Sequence, residues 1–370
     1  DQLLPQLFMP HGAHWKSGWQ AAAKARIDSN PAGAIFGQVM FGALMTDIIT
    51  RCGVNPQAVI GYSLGESAGL FATGAWSDLT AMEERMAASE LFTTQLAGPC
   101  LAAREMWQLG PDQDPQWRVA VVNRPVEQVQ PALKNESRVA LLIVNTPAEC
   151  VIGGHGPAVQ AVIDKLKCEA LWLPGVVTVH SDVCQPVADA YHKLHLFPTT
   201  PLPGVRYYSC ARGQAYTITP QAAADSILAQ ARSGFDFPAL IEQAYADGVR
   251  IFVEMGPQAS CTRMIGNILG EKPHLAVSAS VRDQSEYATL LMALGNLMAE
   301  GVAVNLTYAC APGGDGEESL AIIDRRSGGA EISVPVERPR QPLPPLPPHQ
   351  AQPQRPRTPK EAAQAADGED

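Results

Sequence analysis

The sequence predicts an α/β fold with a parallel-sheet core and an inserted small unit of ferredoxin-like order. Three observations carry that expectation. An apolar run, Ala58-Val59-Ile60, leads into Gly61-Tyr62-Ser63-Leu64-Gly65-Glu66 and then into a small-residue stretch, a strand–turn–helix pattern. Residues 117–175 alternate in the order β-α-β-β-α-β. Beyond them, apolar strands at Tyr207–Cys210 and Arg250–Glu254 flank a helix-length segment, Pro220–Arg232.

Each element follows from local pattern. Gly37 to Ile49 carries apolar residues at helical spacing and is expected to be a buried helix beneath the turn. Gly53-Val54-Asn55-Pro56 ends it, and Gly74-Ala75-Trp76-Ser77-Asp78 makes the turn after the next helix. Leu79 to Leu91 reads as one further helix. In the small unit, strands are expected at Trp117–Val122, Val139–Val144, Cys150–Gly154 and Ala170–Leu173, with helices at Pro125–Leu133 and Ala158–Lys167. The expected organisation is a large subdomain over 1–115 resumed over 176–310, a small one over 116–175, and a linker over 311–370. That linker carries a Pro-rich run from Pro335 and ends Asp367-Gly368-Glu369-Asp370, a composition that buries too little apolar surface to order itself.

Composition narrows the function classes. The net charge of −10 over 370 residues argues against a nucleic-acid surface. No apolar run is read as approaching the ~18 residues that span a bilayer, and no signal peptide opens the chain, so a cytoplasmic protein without membrane contact is expected. The eight cysteines are scattered without a C-x-x-C pair and read as thiols rather than a disulfide or metal framework.

The chemistry centres on Ser63. In G-x-S-x-G between a strand and a helix, the serine of a nucleophile elbow stands exposed above the sheet end, as in hydrolase-like α/β cores. The amide of Leu64, at the start of the following helix, points where an oxyanion would develop. Such a serine needs a base, and eight histidines are available. His180 closes the Val177-Thr178-Val179-His180 segment just beyond the small unit, whereas His11, His14, His155, His192, His195, His274 and His349 read as surface or satisfied core residues.

With the elbow at Ser63, Val144-Asn145-Thr146-Pro147 and Val151-Ile152-Gly153-Gly154, the segment ending at His180, and Glu254-Met255-Gly256-Pro257, the chain resembles the malonyl/acyl-CoA:acyl-carrier-protein acyltransferase domains of fatty acid and polyketide synthases. The resemblance covers about residues 35–300, and the flavour of the elbow is most similar to polyunsaturated fatty acid synthases. It implies a Ser63–His180 dyad, with the second histidine nitrogen oriented by a backbone carbonyl at the position of Gln230. It further implies acyl-CoA and a phosphopantetheinyl acyl carrier protein as substrates, no bound cofactor or metal, and neighbouring synthase domains joined through the C-terminal linker.

The chain departs from the family in three places. Tyr62 replaces the usual histidine before the serine, which makes it a candidate substrate-binding residue. No Gly-Gln-Gly loop precedes Gly37, so the chain is expected to start inside its domain, leaving the second oxyanion donor upstream. Carboxyacyl-specific members carry a clamping arginine about 25 residues after the serine; here that position is Ala88, with Arg85 nearly one turn earlier as the candidate. With apolar Val177 and Val179 beside His180, a monocarboxylic acyl group is expected. Malonyl transfer, an α/β-hydrolase-type (thio)esterase and a silent module that docks carrier proteins remain as alternatives; an esterase would place its histidine near the end of the domain.

Overall fold

In the computed structural model the described residues are 30–310, except 111, 176 and 283, together with 320–322 and 332–334. Helix α1 (Pro31–Arg51) starts where Asn30 Oδ1 accepts from the Gly33 amide at 2.9 Å and Pro31 supplies a preset φ. It is 21 residues long and, contrary to the sequence reading, long and apolar enough by length and composition to cross a bilayer. Its position explains that composition. Val39 enters the cluster around Trp76 and Leu91, while Met45 and Ile49 enter another around Leu294 and Leu297. A helix with core on two sides is apolar around most of its circumference.

β1 (Ala58–Val59) leads through the elbow into α2 (Gly65–Ala72), which packs against α1. α3 (Leu79–Ala87) is capped by Asp78, whose Oδ1 accepts from the Ala81 amide at 2.8 Å. The expected helix to Leu91 stops at Ala87 instead. Ser89 Oγ accepts from the Leu91 amide at 3.2 Å, a local bond that competes with the helical ladder, and a π-turn over Leu91–Gln95 follows. α4 (Leu101–Met106) closes this part.

The small unit runs β2 (Trp117–Val122), α5 (Val126–Leu133), β3 (Val139–Thr146), β4 (Glu149–His155), α6 (Gly156–Leu166) and β5 (Ala170–Leu173). Its strands lie in the order β5-β2-β4-β3 with antiparallel neighbours, because each helical crossover leaves room for one strand from the other half. Ala120, Val129, Ile152 and Val162 fill the space between this sheet and its helices.

A 3₁₀ turn (Asp182–Val187) and α7 (Ala188–His195) return the chain to the large subdomain. β6 (Arg206–Ser209) pairs in parallel with β1 and antiparallel with β7 (Gln214–Tyr216). α8 (Pro220–Ser233) is capped by Thr219 and ends at Gly234 with φ 67°, where an added Cβ would lie 1.9 Å from the Leu142 carbonyl oxygen. Only glycine fits there. β8 (Phe235–Asp236) follows at once and adds in parallel to the free edge of β3. α9 (Phe237–Ala246) leads to β9 (Ile251–Glu254), which pairs in parallel with β10 (Leu275–Ser278) across α10 (Ser260–Leu269). α11 (Glu286–Ala299) and α12 (Thr307–Cys310) complete the compact unit to which described residues 30–310 belong. In the segment expected to be linker, β11 (Leu320–Ile322) and β12 (Ile332–Val334) pair as a two-stranded sheet, and the Pro-rich run lies outside the described residues.

Candidate active site

The elbow is held in a conformation that most residues avoid. Ser63 has φ 53°, in the left-handed region, and the turn is closed by Gly65 N–H to Tyr62 O at 2.9 Å and Glu66 N–H to Ser63 O at 3.2 Å. Gly61 is obligatory, since a Cβ there would stand 2.0 Å from the Glu66 nitrogen. Gly65 has open space around it and is not required on steric grounds. Leu64 is the N-cap residue of α2, and its N–H donates to no group among the described residues, as an oxyanion donor requires.

His180 meets this turn from the other side. Its Nε2 lies 2.7 Å from Ser63 Oγ, and its Nδ1 lies 2.9 Å from the Gln230 carbonyl oxygen. A carbonyl can only accept, so Nδ1 carries the proton and Nε2 presents its lone pair to the serine hydroxyl. The backbone is fixed as firmly as the ring. His180 has φ 67°, and the amides of His180 and Ser181 both donate to the Ala231 carbonyl, at 2.6 and 3.1 Å. Burial pushes the imidazole pKa down to about 4, opposed by the Gln230 carbonyl, so the ring is neutral and ready to accept a proton at ordinary pH.

The Gln230 side chain has a role that spacing gives no sign of. Its Nε2 donates to the Ser63 carbonyl and to Glu66 Oε2, each at 3.2 Å. Glu66 is 4% exposed and accepts in addition from Ser226 Oγ, the Cys210 amide at 3.2 Å and Tyr216 OH at 3.4 Å. Glu66 therefore ties the helix that follows Ser63 to α8 and the end of β6. Burial pushes its carboxyl up to about 7 against these hydrogen bonds. The one local signal for this network is a glutamate directly after the elbow glycine.

Ser63, His180, Leu64, Val179 and Gln230 all line one cavity of about 100 Å³. The rest of its wall is mostly apolar and comes from α1, α2, α3, α7, α8 and the π-turn, including Phe36, Phe71, Met82, Met86 and Leu194. Two sequence candidates stand elsewhere. Tyr62 is absent from the cavity wall; its ring meets Phe235 and Phe237 edge-on, and its hydroxyl donates to Asn145 Oδ1 at 2.7 Å. Asn145 in turn donates to Glu149, which binds Arg263 through both oxygens. Arg85 also stays outside: its guanidinium lies 3.9 Å over the Phe197 ring and donates to the Leu194 and Leu196 carbonyls. Helical phase explains this, for Met82 and Met86 take the cavity-facing side of α3 and leave Arg85 on the exposed one. Ala88, at the expected clamp position, is exposed. Among the described residues no cluster of three His, Cys, Asp or Glu side chains could hold a metal ion.

Comparison with known proteins agrees with this architecture. Residues 38–304 match the acyl transferase domain family, and the chain belongs to that family. Its relatives include a polyunsaturated fatty acid synthase chain of Thraustochytrium sp., 25% identical over 287 residues, and a reducing polyketide synthase of Cochliobolus heterostrophus, 24% identical over 296. These matches cover 72% and 74% of this chain but only 14% and 11% of those much longer proteins. The acyltransferase domain from the second module of the salinomycin polyketide synthase superposes with a TM-score of 0.64 at 22% identity, covering 84% of this chain and 67% of that one. An acyl-carrier-protein S-malonyltransferase from Bartonella henselae gives 0.58 at 19% identity, over 76% of this chain and 84% of that one. The shared fold is the α/β hydrolase-like core with its ferredoxin-like subdomain.

Proposed function

We propose that this acyltransferase domain moves a monocarboxylic acyl group between CoA and a carrier-protein thiol through an acyl-Ser63 intermediate. The observation that carries the reading is the relay from Ser63 Oγ to His180 Nε2 at 2.7 Å and from His180 Nδ1 to the Gln230 carbonyl at 2.9 Å. Ser63 Oγ attacks the thioester carbonyl as its proton passes to His180 Nε2, and the oxyanion develops toward the Leu64 amide. Collapse of the tetrahedral species expels the thiolate, which takes the proton from His180. A carrier-protein phosphopantetheine thiol then attacks the acyl-serine, with His180 again accepting the proton, and Ser63 is regenerated.

The acyl preference rests on the cavity. No arginine among the described residues lines it, and Arg85 is engaged at Phe197 and the end of α7. A free carboxylate entering such a wall would lose hydration without a charged partner, at a cost of several kcal/mol. The setting we infer is cytoplasmic polyunsaturated fatty acid or polyketide synthesis, beside other synthase domains joined through residues 311–370. Intact-mass measurement after mixing with acyl-CoA tests the core of the reading. The wild-type chain should gain one acyl group and Ser63→Ala none; equal labelling of the variant would refute the assignment.

A further inference from the structure

The cavity is not apolar throughout. Tyr191 and His195 stand one turn apart on the same face of α7, and both contribute to its wall. Their rings stack at 4.7 Å between centroids with 29° between planes, and His195 is 6% exposed. His195 Nδ1 lies 2.8 Å from the Tyr191 carbonyl oxygen, so Nδ1 bears the proton and Nε2 carries a lone pair. Among the described residues no donor meets that Nε2, and the Tyr191 hydroxyl has no hydrogen-bond partner either. Burial holds the imidazole pKa down near 4, so the ring remains an acceptor at neutral pH.

Neither atom is among the fully buried unpartnered ones, so both keep access to the cavity. An acyl chain that fills it removes them from solvent, and a ligand that supplies the missing donor then gains accordingly. An unsubstituted alkyl chain has no such group. An acyl chain bearing a hydroxyl can donate to Nε2, and its oxygen can accept from a phenol within reach. We propose that His195, held in place by Tyr191, makes this site selective for hydroxyacyl thioesters over unsubstituted acyl thioesters of equal length. The inference rests on the reading of the cavity as the acyl site. His195 acts here as a specificity-determining residue and takes no part in proton transfer at Ser63.

The preference should appear in competition. The full chain is offered equimolar pairs of a hydroxyacyl-CoA and its unsubstituted counterpart, with the hydroxyl moved from C3 outward along the series, and the two acyl-Ser63 masses are compared. For at least one hydroxyl position the wild type should favour the hydroxyacyl group about tenfold, the value of one net hydrogen bond. His195→Phe keeps an aromatic ring beside Tyr191 and removes the acceptor, so that preference should be lost, the ratio of hydroxyacyl to unsubstituted loading falling to about one whatever the total loading. His195→Gln, which returns an oxygen near the Nε2 position, should restore part of it. No preference at any hydroxyl position, or a preference that survives in His195→Phe, would overturn the inference while leaving the acyltransferase reading intact. If neither acyl group loaded wild-type Ser63, both would be overturned.

Discussion

Gln230 donates through its side-chain amide to the Ser63 carbonyl at 3.2 Å, while its own carbonyl accepts from the ring that Ser63 Oγ meets. One residue thus fixes the backbone of Ser63 and the tautomer of His180 together. Displacing α8 would disturb both partners of the relay at once.

Replacing His180 by alanine should slow acylation of Ser63 by about 10²–10⁴-fold, the usual contribution of a positioned base. Stopped-flow acylation with an acyl-CoA measures it; an unchanged rate would move the base elsewhere. In the wild type the acid limb of the acylation profile should fall near pH 4, since burial lowers the imidazole pKa to about that value. A limb at the ordinary histidine value of about 6.5 would show that solvent reaches the ring.

Glu66 gives a dependence of opposite sign. Its carboxyl is raised from 4.5 to about 7, so between these values the folded chain keeps a proton that the unfolded chain releases. The stabilisation from this group is complete below pH 4.5 and is lost as pH rises through about 7. Glu66→Gln imitates the protonated carboxyl, and the Ser226 and Tyr216 hydroxyls can turn to accept from its NH₂. Relative to wild type, the variant should therefore gain stability between about pH 5 and pH 8, read as a change in the difference of their Tm values. A constant difference across that range would show that Glu66 does not titrate there.

Arg85→Ala should leave the ratio of malonyl to monocarboxylic loading unchanged, because its guanidinium serves Phe197 and two carbonyls outside the cavity. The expected loss is about 0.5–1 kcal/mol of stability, the size of an exposed cation–π contact. Competition between malonyl-CoA and a fatty acyl-CoA decides the point. Preferential malonyl loading that disappears in the variant would restore Arg85 as a carboxylate clamp.

Tyr62→Phe should lower unfolding stability by about 1–3 kcal/mol, since Asn145 Oδ1 loses its donor in a partly buried site. Acyl preference at Ser63 should stay as it is. A changed preference with unchanged stability would put Tyr62 in the substrate's path.

What can be read from sequence is what is local. The elbow is a contiguous turn marked by its own short pattern, with Gly61 the glycine its geometry requires, and the alternation over residues 117–173 contains its own pairing order. The placement of Gln230 against Ser63 depends on an approach across 167 residues, which no pattern in either segment encodes. Tyr62 and Arg85 escape a sequence reading for a related reason. Adjacency to a motif says nothing about direction, and the phase of α3 sends Met82 and Met86, not Arg85, toward the cavity. Counting the first helix only from Gly37 understates the length and apolar character of α1, because Asn30 and Pro31 start it earlier.

The seam at Gly234 bears on how this domain can move. That glycine presses against the Leu142 carbonyl, and the next two residues are stitched to the rim of the small subdomain's sheet, while α8 ends one residue before it. Phe235 itself touches the rings of both His180 and Tyr62. The small subdomain therefore has no independent hinge on this side. A carrier protein or substrate that levered it would transmit the displacement through the few residues between Phe235 and the Gln230 and Ala231 carbonyls that hold His180, so opening the cleft and parting His180 from Ser63 would be one motion.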